Sequence, residues 1–241
     1  MQQIEFNSSG EPVRSHLLPP IGSGPAPAVI LLPAIAGVND YIMRVGYRLA
    51  NAGFAVLLLD YYSREGHAPD VSTPERIGVA VEALPDRRVL SDIAGSLEYL
   101  GGRADIDASR IATVGFCIGG TYAYLAACEL QGIAAAVDYY GSIRYLATSP
   151  NKPVSPLDRA GDLRAPLLAH FGTADRLISA GDIAEFEQAL RSHGRNFELF
   201  TYGGAPHAFD EDFRPVYRPV AAAEAWRRTM TFLNWHCRGW A

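Results

Sequence analysis

The chain is poor in cysteine: Cys117, Cys128 and Cys237 are its only thiols in 241 residues. An odd number cannot pair completely, and their spacing fits neither a disulfide framework nor a zinc signature, so reduced thiols and a cytoplasmic setting are expected. An excess of positive charge is also missing. Lys plus Arg is 21 against 26 Asp plus Glu, a net charge of −5. No basic stripe offers itself to nucleic acid, and no basic amphipathic segment to a membrane surface. No apolar run approaches the roughly 20 residues that cross a bilayer. The opening Met1-Gln2-Gln3-Ile4-Glu5-Phe6 lacks the basic start and apolar core of a signal peptide, and none is expected. His16, His67, His193 and His236 show no ligand spacing, so no metal is expected. Internal repeats and low-complexity tracts are absent.

What remains is 49% hydrophobic, enough for one globular domain over residues 1–241. Residues 2–18 alternate weakly around Ser8-Ser9-Gly10-Glu11-Pro12, which predicts an N-terminal hairpin. Continuous apolar runs follow at 28–32, 55–59, 111–114, 134–137 and 167–171, as strands covered on both faces require. The alternating run 197–202 reads as a strand nearer an edge. Between these runs, helical spacing predicts helices over 41–51, 86–100, 119–129, 181–193 and 220–235. Strands alternating with amphipathic helices define an α/β protein, a mostly parallel sheet with helices on both faces. The Pro- and Ser-rich stretch 140–165 reads as a loop region over that sheet. Tyr61-Tyr62-Ser63-Arg64 and Thr73-Pro74-Glu75-Arg76 read as solvated loop unless a substrate claims their arginines, and Asp86-Arg87-Arg88 as the charged first turn of a helix.

The sharpest local signal is Gly115-Phe116-Cys117-Ile118-Gly119-Gly120, between a buried strand and a helix. It is a nucleophile elbow with Cys in place of Ser. The chain must turn sharply there, which strains the nucleophile, and the flanking glycines remove side chains that would clash. The thiol then stands at the positive end of the following helix, where a thiolate is supported. Two further positions fit it. Asp175 lies just past the run 167–171, and His207 lies in a Gly/Pro-rich loop after the last strand. Nucleophile, acid, histidine is the chain order of the α/β-hydrolase fold. His207 would take the thiol proton and return it to the leaving group, and Asp175 would fix its tautomer. His170, inside a strand, reads as a hydrogen-bonded core residue, and Cys128 and Cys237 read as structural.

On Leu32-Pro33-Ala34-Ile35-Ala36-Gly37-Val38-Asn39, Leu59-Asp60-Tyr61-Tyr62, the Cys117 elbow, Gly172-x-x-Asp175 and His207-x-Phe209, the chain resembles the dienelactone hydrolase (carboxymethylenebutenolidase) family. The resemblance implies a cofactor-free thiol hydrolase that opens a lactone or ester through an acyl-enzyme, with the backbone N–H groups of Ile35 and Ile118 as oxyanion hole. Two positions depart from the family pattern. A glutamate that engages the thiol is expected immediately before Ile35, where this chain has Ala34. Of two arginines that anchor a substrate carboxylate, Arg76 matches the first, whereas Glu211 stands where the second belongs and Arg214 lies nearby. The readings carried forward are a lactone or ester hydrolase, a carboxylesterase or thioesterase for neutral acyl groups, and a non-catalytic relative that binds a small ligand. The partner expected is a small-molecule substrate, and the chain is expected to be a monomer or a small homo-oligomer.

Overall fold

A computed structural model of the chain describes residues 1–22 and 24–238. Strands β1 (Gln2–Ser8) and β2 (Glu11–Leu18) form the antiparallel hairpin, turned by Ser9 and Gly10 at φ 51° and 89°. After it come β3 (Ala26–Leu32), helix α1 (Asp40–Asn51), β4 (Ala55–Leu58), α2 (Pro74–Ala83) and α3 (Asp86–Gly101). The second half runs β5 (Ile106–Phe116), α4 (Ile118–Glu129), β6 (Ala135–Tyr139), β7 (Leu167–Gly172), α5 (Ala180–Ser192), β8 (Phe197–Tyr202) and α6 (Pro219–Arg238). These make one eight-stranded sheet in the order β1-β2-β4-β3-β5-β6-β7-β8. All pairings from β4 to β8 are parallel, and the hairpin closes the other edge antiparallel, with Leu17 opposite Leu57. Successive strand residues point to opposite faces. In β3, β4 and β6 nearly every residue is buried, so both faces of the sheet are covered. β8 buries only Tyr202 fully, as an edge strand does.

Three segments differ from the sequence reading. The run at Thr73 is not loop: Thr73 Oγ1 accepts the Arg76 amide at 3.3 Å and Pro74 opens α2. Only Ala80 of that helix is buried, so it carries no apolar stripe to read. Arg64 is no solvated residue either. It grips the fully buried Asp92 carboxylate of α3 with two bonds of 2.8 and 2.7 Å and reaches Glu11 at 2.9 Å. The stretch 140–165 contains a short 3-10 helix, Pro156–Asp162, and is pinned by Lys152. The Lys152 ammonium is buried on Asp86 Oδ1 (2.7 Å), Leu84 O (2.8 Å) and Tyr122 Oη (2.8 Å), which makes the first turn of α3 an internal ion pair.

Candidate active site

Cys117 is the one residue between β5 and α4, with φ 56° and ψ −122°, a conformation that L-residues avoid. Both its flanks are fastened. Its amide donates to Tyr139 O at 2.9 Å, and its carbonyl accepts the amides of Gly120 and Thr121 at 2.9 and 3.2 Å. A Cβ on Gly115 would fall on the Gly119 carbonyl, one on Gly119 on the carbonyls of Leu32 and Pro33, and one on Gly120 on the Asp138 carboxylate. The glycine spacing therefore records how closely α4 is driven against β3 and β6.

The acid and the histidine are brought together by stitching two loops. Thr173 N donates to Tyr202 O and Ala174 N to Ala205 O, both at 3.0 Å, and Gly204 N donates to Thr173 Oγ1 at 2.8 Å. His207 Nδ1 then meets Asp175 Oδ2 at 2.8 Å. The other Asp175 oxygen accepts the amides of Leu177 (2.8 Å) and Ile178 (3.3 Å), so the buried carboxylate cannot turn. With Nδ1 committed, Nε2 is buried without a hydrogen bond of full geometry and is left for Cys117. Burial pulls the imidazole down, but the neighbouring Cys117 sulfur and the Asp175 bond outweigh it and raise His207 from 6.5 to about 10. Tyr140, at φ 45°, packs edge-on to the imidazole at 5.1 Å, and Ala208, at φ 60°, follows it. Among the described non-glycine residues, the only other positive φ is Ser9 in the hairpin turn. Backbone strain is thus gathered around one thiol and one imidazole.

Cys117 and His207 open into a cavity of about 850 Å³ together with Ala34 and Ile35. Its apolar lining includes Val71, Ile77, Leu177, Phe213 and Val216, and its charged lining is Arg176, Glu211, Arg214 and Arg218. The loop carrying Ile35 is held from behind, since Tyr61 Oη donates to Pro33 O at 3.1 Å and Tyr62 Oη to Ile35 O at 2.8 Å. Among the described residues, the Ile35 and Ile118 amides have no acceptor, and Ile118 is the first residue of α4, where amides have no partner within the helix.

The two arginines fare differently. Arg214 lines the cavity, but its guanidinium is paired with Glu211 at 3.1 Å. Arg76 does not reach the cavity. It sits on the first turn of α2 with its guanidinium on Asp70, while its neighbour Ile77 faces inward.

Five further residues complete the surroundings, and of these only Asp138 has no reading from the sequence. Glu211 is buried at the cavity wall and its carboxyl is raised by burial, against the pull of Arg214. Asp138, at the end of β6, is raised by burial to about 7 while accepting Gly141 N at 2.7 Å. An acid directly after the apolar run 134–137 was its only signal. His170 is a core residue, bonded to Thr229 Oγ1 (3.1 Å) and Tyr202 Oη (2.9 Å) and lowered by burial to about 3. Cys128 and Cys237 are buried, and burial pushes both up to about 12. Among the described residues no cluster of His, Cys, Asp or Glu could hold a metal ion, and no helix is long and apolar enough to cross a membrane.

A mostly parallel sheet with a strained strand-to-helix elbow, and with acid and histidine on the loops after later strands, defines an α/β-hydrolase. The family model of the dienelactone hydrolase family matches residues 13–237, and the chain belongs to that family. It is 44% identical over 239 residues to the "Probable 2-oxo-3-(5-oxofuran-2-ylidene)propanoate lactonase" of Bradyrhizobium sp, covering 99% of this chain and 96% of the relative. A protein of Methylorubrum extorquens named as a carboxymethylenebutenolidase is 33% identical over 210 residues, 87% of this chain and 72% of the relative. The solved structure of a Klebsiella pneumoniae protein described as a dienelactone hydrolase superposes with a TM-score of 0.89 at 31% identity, over 96% of this chain and 97% of that one. The chain is accordingly a hydrolase acting on ester or lactone bonds.

Proposed function

We propose that the chain opens an unsaturated five-membered lactone through a thioester on Cys117, the substrate class named for its Bradyrhizobium relative. The His207–Asp175 bond of 2.8 Å, with Nε2 left for the thiol in the elbow, is the observation that supports this reading most. His207 Nε2 carries the thiol proton as an imidazolium in the resting site, and the sulfur attacks the lactone carbonyl as thiolate. The amides of Ile35 and Ile118 hold the oxyanion of the tetrahedral intermediate. As it collapses, the ring C–O bond breaks and the leaving oxygen takes the proton from the imidazolium, giving an acyl-thioester whose tail stays tethered in the cavity. Water, deprotonated by His207, then attacks the thioester, and Cys117 leaves as thiolate. Asp175 holds the Nδ1–H tautomer throughout.

Neutral esters form a second reading, favoured by the five apolar side chains in the cavity lining and by alanine rather than an acid at position 34. A lactone and p-nitrophenyl acetate, each with and without iodoacetamide, give the first test. Turnover of the lactone abolished by alkylation is expected; turnover that survives complete alkylation of Cys117 would sink the mechanism. Cys117→Ala and His207→Ala should each cost about 10³-fold or more, and the double variant little further, because groups that act as a unit are not additive. Fully additive losses would separate the two residues. Cys117→Ser should retain only weak activity, since a hydroxyl is far harder to deprotonate.

A further inference from the structure

The molecule carries a net charge of −5, yet the cavity inverts that sign: its wall holds three arginines against a single glutamate. These arginines are not equally available. Arg214 is neutralised by Glu211 at 3.1 Å. Arg218 donates to the carbonyls of Pro215 (3.4 Å) and Tyr217 (3.0 Å), which hold its guanidinium against its own loop. Arg176 makes no hydrogen bond or ion pair with any described residue. Its chain neighbour Asp175 cannot take it up, because one carboxylate oxygen is spent on His207 and the other on the Leu177 and Ile178 amides. An uncommitted guanidinium therefore stands at a cavity wall one residue from the acid that orients His207, beside the apolar Leu177. Meanwhile Arg76, at the position where the family pattern has an anchor, is turned outward onto Asp70.

We propose that Arg176 selects the substrate, binding a carboxylate carried by the lactone from the loop after β7 rather than from α2. This rests on the lactone-hydrolase reading. A guanidinium presents two parallel donors to a carboxylate. Leu177 and Phe213 border the same cavity, so the flat unsaturated ring lies against apolar surface while its anionic tail points to Arg176. The ring carbonyl is then held toward Cys117, and the position of the anion fixes which end of the substrate enters first.

The test separates binding from turnover. Protection of Cys117 against iodoacetamide is titrated with furan-2-acetate and with furan-2-acetamide, unreactive probes that differ in charge. In the wild-type protein the acid should protect at about tenfold lower concentration than the amide, as expected of a charge-assisted pair at a partly exposed site. Arg176→Ala should bring that ratio close to one, Arg176→Lys should keep part of it, and Arg76→Ala should leave it intact. A wild-type ratio near one, a ratio that survives Arg176→Ala, or loss of the ratio with Arg76→Ala instead would each overturn the proposal. In parallel, kcat/KM is measured for (5-oxofuran-2-ylidene)acetate and its methyl ester. Selective protection without turnover of either lactone would sink the hydrolase reading and leave the anchor standing, whereas turnover with no acid preference would do the reverse.

Discussion

Cys117, Ala34 and Ile35 share one cavity, so the residue at position 34 is placed to act on the thiol. A carboxylate there would oppose a thiolate by like-charge repulsion. Alanine removes that opposition and leaves the imidazolium of His207, raised to about 10, as the dominant charge beside the sulfur. The free protein should therefore be alkylated readily at neutral pH without substrate. Ala34→Glu should slow iodoacetamide inactivation about tenfold near pH 7. Identical rates across pH 5–9 for the two proteins would show that this position does not control the thiol. Cys117, Asp175 and His207 were legible as candidates because glycine spacing and position after apolar runs report local backbone geometry. The partners of Arg76, Arg64 and Lys152 were not, since a long charged side chain chooses among acids brought together only by folding.

Apolar runs and helical spacing exposed nearly every element to within a few residues, because burial on both faces leaves an uninterrupted signal. α2 escaped because it buries one alanine and announces itself only by a cap. Tight contacts between elements make two further predictions. Gly119→Ala would press a Cβ into the Leu32 and Pro33 carbonyls, so α4 must move away from β3. A loss of about 3 kcal/mol or more is expected in urea denaturation, with activity abolished, because neither backbone segment can yield like a side chain. Lys152 fixes the 140–165 excursion to α3 through a pair whose side chains are 3% and 6% exposed. Lys152→Ala would strand the Asp86 carboxylate and should cost about 3–5 kcal/mol. Lys152→Met combined with Asp86→Leu should recover much of that loss, since no lone charge is then buried. A double variant as unstable as Lys152→Ala would mean that packing, not charge, holds the segment.

For the molecule as a whole, strand order was legible only as a fold pattern: the sequence shows that strands and helices alternate, not that β4 inserts between the hairpin and β3. Nor could it show that a carboxyl lies beneath the elbow. Asp138 is raised by burial from 3.8 to about 7, so the folded state holds its proton more tightly than the unfolded chain. That contribution is complete below pH 3.8 and is lost as pH rises to about 7. Asp138→Asn, which can still accept the Gly141 amide, should flatten the stability profile between pH 4 and 7. Parallel profiles for the wild type and Asp138→Asn over that range would show that Asp138 does not titrate there.

The backbone at Cys117 has a consequence for durability. Its φ of 56° with ψ of −122° is the mirror image of an ordinary extended conformation, and glycine adopts it without strain. Strain of this kind costs about 1–3 kcal/mol, against roughly 0.4–1 kcal/mol for the extra freedom of an unfolded glycine. Cys117→Gly should thus melt about 2–4 °C above the wild type while hydrolysing nothing, measured by differential scanning calorimetry beside an activity assay. The nucleophile behaves as a loaded spring held in place by the rest of the domain, so ageing, heat or selection for robustness alone would favour the inert protein over the working one.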